Sequence, residues 1–422
     1  MGNEKYIFWI VLLLCSLSVE ALTTIGKVRY EGNEVTQVSV LNREVYVKEG
    51  DELDNALLEK SRQAIMDLDL FKSVKLYLQY NDKDSPVINQ QVDVVFVVDE
   101  KYYLLIYPKA KVNDDEVHLG LQLRWDNVLG LNHEMRFLVE NRGETQNVTE
   151  KRNSFRYFYP NINNSAYNLD LKIQDANNVD ETDGVIDRQD SVYRIVLSRW
   201  LNEAGRNHGW FAGVSASYQQ RFNRVISGSQ ASENINAIIL DLDSGFINVN
   251  EYEYNRGGKA FGYKLDWAHD SIGSDAMFTK HQFYYKSYYR FDDLPYSNLN
   301  VQAQFGHANN DILGSTAFSL GSSNDLRGYE NNRFIGNTMF LVNMEYMFPH
   351  PAYPIVRYVY FLDIGNAYDS IEKVLHTPLN VGAGIGMRWK IKSFVRLNIR
   401  IDLGYGFADD EYRFTLGTKH AF

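Results

Sequence analysis

An alternation of apolar and polar residues begins near Tyr102 and continues to the C-terminus, and it limits the possible folds of this chain more than any other feature. In "VHLGLQLRW", residues 117–125, and in "YNLDLKIQ", residues 167–174, every second residue is apolar. A two-residue period places apolar side chains on one face of a β-strand and polar side chains on the other. We therefore predict an all-β structure of about 16 antiparallel strands. The segments with this pattern are centred near residues 107, 120, 136, 156, 170, 195, 214, 240, 264, 285, 302, 343, 361, 385, 400 and 416.

Strands with one apolar face fit either a soluble β-sandwich, whose polar face meets bulk water, or a transmembrane barrel, whose apolar face meets lipid. Segments of about ten residues are long enough to span a bilayer as tilted strands. The chain has 29 Tyr and 23 Phe, and Tyr, Trp and Phe crowd the segment ends, where a barrel carries its interfacial aromatic girdles. The strand count is even, as in bacterial single-chain barrels. These features favour a transmembrane β-barrel over residues 101–422.

The N-terminus has the pattern of a secretory signal peptide. A short polar start with one lysine precedes an apolar stretch, residues 6–17, and small residues stand at the cleavage positions, 19–21. A membrane anchor is one alternative, for which the apolar stretch is short. A lipoprotein signal is the other, although the small residue expected before Cys15 is missing. We predict a signal peptide at 1–21, whose removal also removes the only cysteine of an exported chain.

Residues 22–100 have a different pattern, which predicts a small α+β domain. "IGKVRYEGNEVT" is typical of a strand and a turn, and "DNALLEKSRQAIMDLDLF" has apolar residues at helical spacing, with Asp51 or Asp54 available as the N-cap. "KSVKLYLQY" and "QQVDVVFVVDE" predict two strands, joined by the turn-rich "NDKDSPVIN". The order strand, helices, strand, strand is sufficient for a small self-contained core.

The stretch "GSSNDLRGYENNRF", residues 321–334, interrupts the alternation between the eleventh and twelfth predicted strands. Its "LRGY" resembles the (V/I/L)-R-G-(F/Y) motif of the bacterial outer-membrane assembly and translocation superfamily, the BamA/TamA-like surface-antigen barrels with N-terminal polypeptide-transport-associated (POTRA) domains. In that family the motif lies at the tip of a long loop after strand eleven, folded back into the lumen of a sixteen-stranded barrel. The motif residues here are Leu326, Arg327, Gly328 and Tyr329.

Three further segments resemble strand motifs of this superfamily and occur in the same order. "FLDIGNAYD" is similar to the F-x-D-x-G motif of strand thirteen, through Phe361, Asp363 and Gly365. "GAGIGMRW" and "LNIRIDLGYGF" are similar to the G-x-G-x-R-W and R-x-D-x-G strands. The residues that carry these two similarities are Gly384, Arg388, Arg400 and Asp402.

Both ends of the mature chain are also similar to this family. "GNEVT", "VKEGDELD" and "LDLFKSV" give residues 22–100 a resemblance to a POTRA domain. The last predicted strand contains Gly417 and ends on Phe422, as the family's terminal strand does. It departs from the family at His420, where an apolar residue is usual.

Alternation also predicts partners for the loop arginine. It places Glu345 and Asp363 on the lumen side of two neighbouring strands. A guanidinium packed in a lumen needs a carboxylate partner, because burial of an unpaired charge is unfavourable. The resemblance implies that Arg327 pairs with Asp363, with Glu345 as a second candidate, and that Gly328 permits a tight turn while Tyr329 fills the lumen. An exposed loop arginine without a fixed partner is the alternative.

Other functional classes find little support. The formal charge of −11 and the lack of basic runs argue against a nucleic-acid partner. The nine His show no H-E-x-x-H spacing, and "GAGIG" lacks the G-x-G-x-x-G spacing and lies in a strand. The acidic segment "DANNVDETDGVIDRQD", residues 175–190, fails the Ca²⁺-loop order, which leaves a solvated external loop or a loose cation site near lipid. We therefore predict no catalytic residues, no cofactor and no metal.

Two functions remain open. The resemblance implies a bacterial outer-membrane barrel that assists insertion, assembly or translocation of other proteins. Its POTRA-like domain lies in the periplasm and binds unfolded outer-membrane or secreted clients by strand addition, with accessory periplasmic proteins as further partners. The alternative is a passive pore or surface antigen. The single POTRA-like domain argues against the main insertase of the family, and against the transporters that carry two such domains and a plug helix.

Overall fold

A computed structural model of the chain describes residues 23–80, 91–112, 117–143, 148–180, 185–202, 208–227, 232–313 and 317–418. The predicted signal peptide, His420, Phe422 and the centre of the acidic segment lie outside these residues. The described residues form an N-terminal α+β domain and one large antiparallel sheet. None of the helices in these ranges is both long and apolar enough to cross a membrane.

The N-terminal domain contains a three-stranded sheet and two helices. In the sheet order β1-β3-β2, β1 is parallel and β2 antiparallel to the central strand β3. Asp54 caps the second helix, because its side chain accepts hydrogen bonds from Ala56 N at 2.7 Å and Leu57 N at 3.2 Å. Leu58 and Ile65 of this helix are fully buried in the domain core. The elements are β1 (Thr24–Glu31), α1 (Val38–Glu44), α2 (Asn55–Asp67), β2 (Phe71–Tyr80) and β3 (Gln91–Glu100).

All sixteen predicted barrel strands are present, which confirms the predicted fold class. They include the segment near residue 240, which forms a strand of 19 residues. The strands are β4 (Leu104–Val112), β5 (Val117–Val128), β6 (His133–Gly143), β7 (Val148–Tyr159), β8 (Tyr167–Asp180), β9 (Val185–Trp200), β10 (Gly209–Ser227), β11 (Glu233–Glu251), β12 (Arg256–Ala268), β13 (Phe278–Phe291), β14 (Leu294–Ala308), β17 (Thr338–Pro349), β18 (Val356–Tyr368), β19 (Asn380–Lys390), β20 (Asn398–Gly406) and β21 (Glu411–Gly417).

Each barrel strand pairs with the next in chain order, and β14 pairs with β17 across a long loop, residues 309–337. This loop contains its own two-stranded ribbon, β15 (Phe318–Leu320) and β16 (Phe334–Gly336). The sheet runs from β4 to β21, and these two strands come to lie beside each other. The sixteen-stranded sheet therefore curls into a barrel.

The two faces of the sheet are inverted relative to a soluble protein. On β5, Leu119 and Leu121 are more than half exposed, whereas Gln122 and Arg124, which follow them, are buried. The same alternation on β18 exposes Tyr358 and Tyr360 and buries Asp363 completely. Apolar side chains thus face outward and polar side chains face the lumen, as a barrel in lipid requires.

The N-terminal domain packs against turns at one end of the barrel, which we call the domain end. Val395, in the β19–β20 turn, is fully buried within the core of the N-terminal domain. Gln37 N donates to Gly130 O in the β5–β6 turn at 2.9 Å, and Gln63 Nε2 donates to Glu251 O at the end of β11 at 2.9 Å. These turns follow the second, eighth and fourteenth strands of the barrel, so the domain is held from three sides of this mouth.

Candidate functional site: an ion cluster between the inward loop and the barrel wall

The loop between β14 and β17 begins at the end of the barrel opposite the domain end and folds into the lumen. Leu326 is fully buried and Tyr329 is 3% exposed, and both pack with apolar side chains of β15 and β17. Asp325 tightens the turn before the motif, since its carboxylate accepts from Gly321 N at 2.9 Å and from Ser322 Oγ at 2.7 Å. The ribbon β15–β16 and this turn deliver the LRGY segment to the inner wall.

Arg327 binds Asp363 of β18 through both ends of its guanidinium. Nε donates to Oδ2 at 2.6 Å and Nη2 donates to Oδ1 at 2.7 Å, and the backbone N of Arg327 also donates to Oδ2 at 3.1 Å. The two side chains are 2% and 0% exposed. A planar guanidinium matches a carboxylate in this bidentate geometry, so the pair fixes both the position and the orientation of the loop tip.

Glu345 of β17 joins this pair to a second one. Its Oε1 accepts from Arg327 Nη1 at 2.6 Å and from Arg388 Nη2 at 2.6 Å. Arg388 Nη1 also donates to Asp402 Oδ1 at 2.5 Å, and Arg400 Nε lies 3.4 Å from Asp402 Oδ2. All of these side chains are at most 3% exposed.

We call this set the lumen ion cluster. It balances the guanidinium groups of Arg327, Arg388 and Arg400 with the carboxylates of Glu345, Asp363 and Asp402. Pairing of opposite charges makes burial tolerable, whereas removing one member leaves an uncompensated charge buried from solvent.

Neutral side chains complete the surroundings of the cluster. Asn343 Nδ2 donates to Asp363 Oδ1 at 2.8 Å and to the backbone O of Asp325 at 2.6 Å, so it links the barrel wall to the loop. The Phe361 ring lies under the guanidinium, 3.7 Å from Arg327 Cζ to the ring centroid. This distance is well within the range of a cation–π contact.

Glycines make room for the loop tip on the wall formed by β19 and β20. Gly328 has a φ of +93°, and a Cβ there would lie 2.6 Å from Gly406 N. A Cβ on Gly382 would lie 2.0 Å from the backbone O of Arg327. Neither contact is possible for a larger residue without displacement of backbone, so Gly382 of "GAGIG" and Gly404 and Gly406 of "DLGYG" form the seat of the loop.

Tyr329 anchors the far side of the motif. Its hydroxyl donates to Val381 O at 2.6 Å and accepts from Ala408 N at 3.1 Å. The loop beyond it forms exposed ion pairs, Arg333 with Asp409 at 3.0 Å and Glu330 with Arg413 at 3.0 Å. The inward loop is thus fixed to β17, β18, β19, β20 and β21.

Most residues singled out in the sequence meet at this site. Gly365 lies further along β18, where an added Cβ would lie 2.7 Å from Phe340 O, and Gly384 provides space for the Phe361 ring. Gly417, in β21, is paired with Arg400 of β20 and lies close to its side chain. Sequence reasoning missed Asn343, which shares the inward parity of Glu345, and it did not assign the seat of the loop to Gly382 and Gly406.

A sixteen-stranded barrel with an inward arginine loop and an N-terminal α+β domain defines the class of outer-membrane protein assembly and translocation barrels. The sequence profile of the Omp85 superfamily domain matches residues 89–422, and that of the POTRA family, described as a surface antigen variable number repeat, matches residues 23–101. The chain therefore belongs to the Omp85 superfamily. No curated protein matches it significantly.

Solved structures agree with this fold. BamA from Haemophilus ducreyi lacking POTRA domains 1–3 aligns with a TM-score of 0.55 and 16% identity, over 94% of this chain and 84% of that one. CdiB from Acinetobacter baumannii aligns with a TM-score of 0.60 and 12% identity, over 94% and 74%. CdiB from Escherichia coli aligns with a TM-score of 0.61 and 14% identity, over 94% and 76%. At these identities the likeness concerns the fold.

Proposed function

We propose that this protein assists the insertion or translocation of other polypeptides at the bacterial outer membrane, without an enzymatic step. In this proposal the N-terminal domain lies in the periplasm and binds extended client segments by strand addition to β2. Clients are unfolded outer-membrane or secreted proteins, and accessory periplasmic proteins are further partners. The single observation that carries the proposal is the free edge of β2.

The edge of β2 has the properties that strand addition needs. Within the described residues, β2 pairs only with β3, so one row of its backbone donors and acceptors has no strand beside it. Tyr77 and Tyr80 on this strand are 49% and 50% exposed. A client segment pairing there gains backbone hydrogen bonds, and the exposed rings add apolar contact.

The lumen ion cluster has a separate role in this proposal. It holds the inward loop against β17–β20 in the resting state, so that the lumen is plugged until transport displaces the loop. Burial supports this assignment, because a fully desolvated network with matched charges favours one loop position strongly over partly released ones.

A photo-crosslinker at Tyr77 tests client binding. We expect it to capture unfolded barrel proteins or secreted substrates, and a crosslinker at Lys60 on the exposed face of α2 serves as the matched control. Equal capture at the two positions, or none above background where a known assembly factor captures clients, would contradict strand addition at β2.

A passive pore or surface antigen is the competing function. Deletion of the gene distinguishes the two: an assembly factor should deplete other outer-membrane proteins, whereas a passive pore should change permeability alone. The aqueous lumen expected of a barrel is the property that favours the second function.

A further inference from the structure

Five basic residues stand side by side on the barrel wall opposite the inward loop. Cross-strand register places Arg124 opposite Arg136, Arg136 opposite Arg156, Arg156 opposite Lys172, and Lys172 opposite Arg194. One residue from each of the adjacent strands β5 to β9 therefore contributes to a single line, which we call the cationic row. Adjacent strands lie about 4.8 Å apart, so the row extends about 19 Å across the wall.

The row faces the lumen. On β5, β6 and β9 an exposed apolar side chain stands beside its member in sequence: Trp125 beside Arg124, Phe137 beside Arg136, and Ile195 beside Arg194. Since neighbouring side chains of a strand point to opposite faces, the members of the row point into the lumen. Because barrel strands are tilted by about 40°, a line of registered residues also climbs along the barrel axis.

The part of the row on β7 to β9 is open to solvent, unlike the lumen ion cluster. The side chains of Arg156 and Arg194 are 40% and 43% exposed, whereas those of the cluster are at most 3% exposed. The row occupies the second to sixth strands of the barrel, and the cluster occupies the twelfth to fifteenth. Among the described residues the LRGY segment is thus seated on the opposite wall, while the start of the loop reaches β10, where Arg221 Nη1 donates to Leu313 O at 2.7 Å.

Carboxylates flank the row on one side. Asp126, Glu134 and Asp170 each stand two residues along their strands from a member of the row, in every case toward the domain end. Arg124 Nε donates to Asp126 at 2.7 Å, and Arg156 Nε donates to Asp170 at 2.9 Å. These three carboxylates therefore lie on the domain side of the row. On the opposite side the next inward residues are neutral, namely Gln122, Leu138, Ser154, Gln174 and Val192, and the carboxylates of Glu140 and Asp190 lie one step further.

Lys172 is the strongest point of the row for a ligand. It is registered between Arg156 and Arg194, and the nearest carboxylate on its own strand, Asp170, is bound in bidentate fashion by Arg156. Arg194 in turn lies 2.8 Å from Asp241 of β11. An anion at Lys172 would therefore meet three cations, two of which are already paired with a carboxylate on the domain side.

We propose that the cationic row binds small polyanions, such as solutes with several phosphate or carboxylate groups, with Lys172 at the centre of the site. Arg156 and Arg194 supply planar donors on either side of its ammonium group, and these donors suit phosphate and carboxylate oxygens. This inference does not depend on client binding by the N-terminal domain, because it concerns only the lumen wall.

Protection of Lys172 from chemical modification tests the proposal in the full-length protein in detergent. A water-soluble amine reagent is applied with and without inorganic tripolyphosphate, and labelling of each lysine is followed by mass spectrometry. We expect tripolyphosphate to slow the labelling of Lys172 by about tenfold. Lys264, which also faces the lumen and has a side chain 48% exposed beside Asp243, is the internal control and should be unaffected.

Two variants distinguish anion binding at the row from a general effect of positive charge in the lumen. Combined Arg156→Gln and Arg194→Gln substitutions should abolish the protection of Lys172, whereas Arg188→Gln, which removes a lumen-facing arginine outside the row, should preserve it. Gel mobility before and after boiling verifies that each variant forms the barrel. Equal protection of Lys264, no protection of Lys172, or no labelling of Lys172 at all would each overturn the proposal.

Discussion

The two walls of the lumen use the same residue types in opposite ways. On β17 to β20, arginines and carboxylates form a closed network in which each side chain is at most 3% exposed. On β5 to β9, arginines at registered positions also meet carboxylates, yet Arg156 and Arg194 keep about two-fifths of their side chains in solvent. The difference accompanies the position of the LRGY segment, which packs against the first wall.

Solvation decides what each wall can do. A charge network buried from solvent is rigid and intolerant of change, because each member depends on its partners for compensation. Ion pairs in contact with water are weak and exchange partners readily. The wall formed by β17 to β20, which we call the closed wall, is therefore suited to hold the loop in one position. The wall formed by β5 to β9, which we call the open wall, is suited to bind and release a soluble anion.

The largest effect on the position of the loop is expected from substitutions of Arg327 and Asp363, the pair that fixes its tip. Asp363→Ala leaves the Arg327 guanidinium with Glu345 as its remaining close partner, and breaking a buried pair in this way is unfavourable by about 3–5 kcal/mol. Arg327→Ala should release the loop to a similar extent, and the double variant should be no worse than the more severe single variant. The rate of protease cleavage within residues 321–334 measures loop release in all three.

Arg333→Ala is the matched control, because it removes another arginine of the same loop. Its side chain is 48% exposed and its partner is Asp409, so its loss should change the cleavage rate little. Double-variant effects equal to the sum of the single ones would show that Arg327 and Asp363 act independently.

Gly382 tests the seat of the loop rather than its charges. Gly382→Ala places a Cβ 2.0 Å from the backbone O of Arg327, which should displace the loop tip at a cost of about 1–3 kcal/mol. Gly417→Ala is the control, since the nearest atom to its Cβ would be Arg400 Nε at 3.7 Å, an ordinary contact. Loop cleavage by protease should rise in the first variant and stay unchanged in the second, and equal cleavage in both would refute the seat.

The closed wall could be predicted from the sequence to a large extent. A strand in lipid keeps its two-residue period over its whole length, so alternation alone places Glu345 and Asp363 inward. Their approach to Arg327 required the loop to fold inward, which only the family resemblance implied. The seat on Gly382 and the bridging role of Asn343 depend on how closely the loop backbone approaches, and no sequence periodicity reports that distance.

Contacts between the domains could not be predicted. Val395 lies in a short turn between two barrel strands, yet it is buried in the core of the N-terminal domain. A single apolar residue in a turn has no repeating pattern that would distinguish it from a lipid-facing one. The cationic row was hidden for a different reason: its members are separated by 12 to 22 positions in the sequence and become neighbours only through register.

Asp67, at the end of α2, shows what happens to a buried carboxylate without an arginine bound to it. Burial raises the pKa of Asp67 to about 6, despite hydrogen bonds from Gln63 and from Glu251 N at 2.7 Å and the nearby His208. The docked pKa lies above the undocked one, so docking of the N-terminal domain should be strongest below about pH 4 and weaken as the pH rises toward 6.

Spin labels on cysteines introduced into α2 and into the β11–β12 turn can measure this docking by their distance distribution. We expect the close distance to lose population between pH 4.5 and pH 7, and Asp67→Asn should remove that dependence. His208→Asn is the control, because it retains the carboxylate and removes the facing histidine. A pH dependence that persists in Asp67→Asn but vanishes in His208→Asn would assign the effect to the histidine instead.

The smallest effect is expected on the open wall, and it tests the comparison most directly. Arg156→Gln removes a guanidinium that is bound to Asp170 but 40% exposed, so the free energy of unfolding should change by about 1 kcal/mol or less. Arg388→Gln removes one that is 1% exposed and bound to Glu345 and Asp402, and it should be destabilising by about 3–5 kcal/mol. Urea unfolding in lipid vesicles, followed by gel mobility, measures both. If Arg156→Gln were as destabilising as Arg388→Gln, the exposed arginines would be structural as well, and the open wall would have no cations to spare for a ligand.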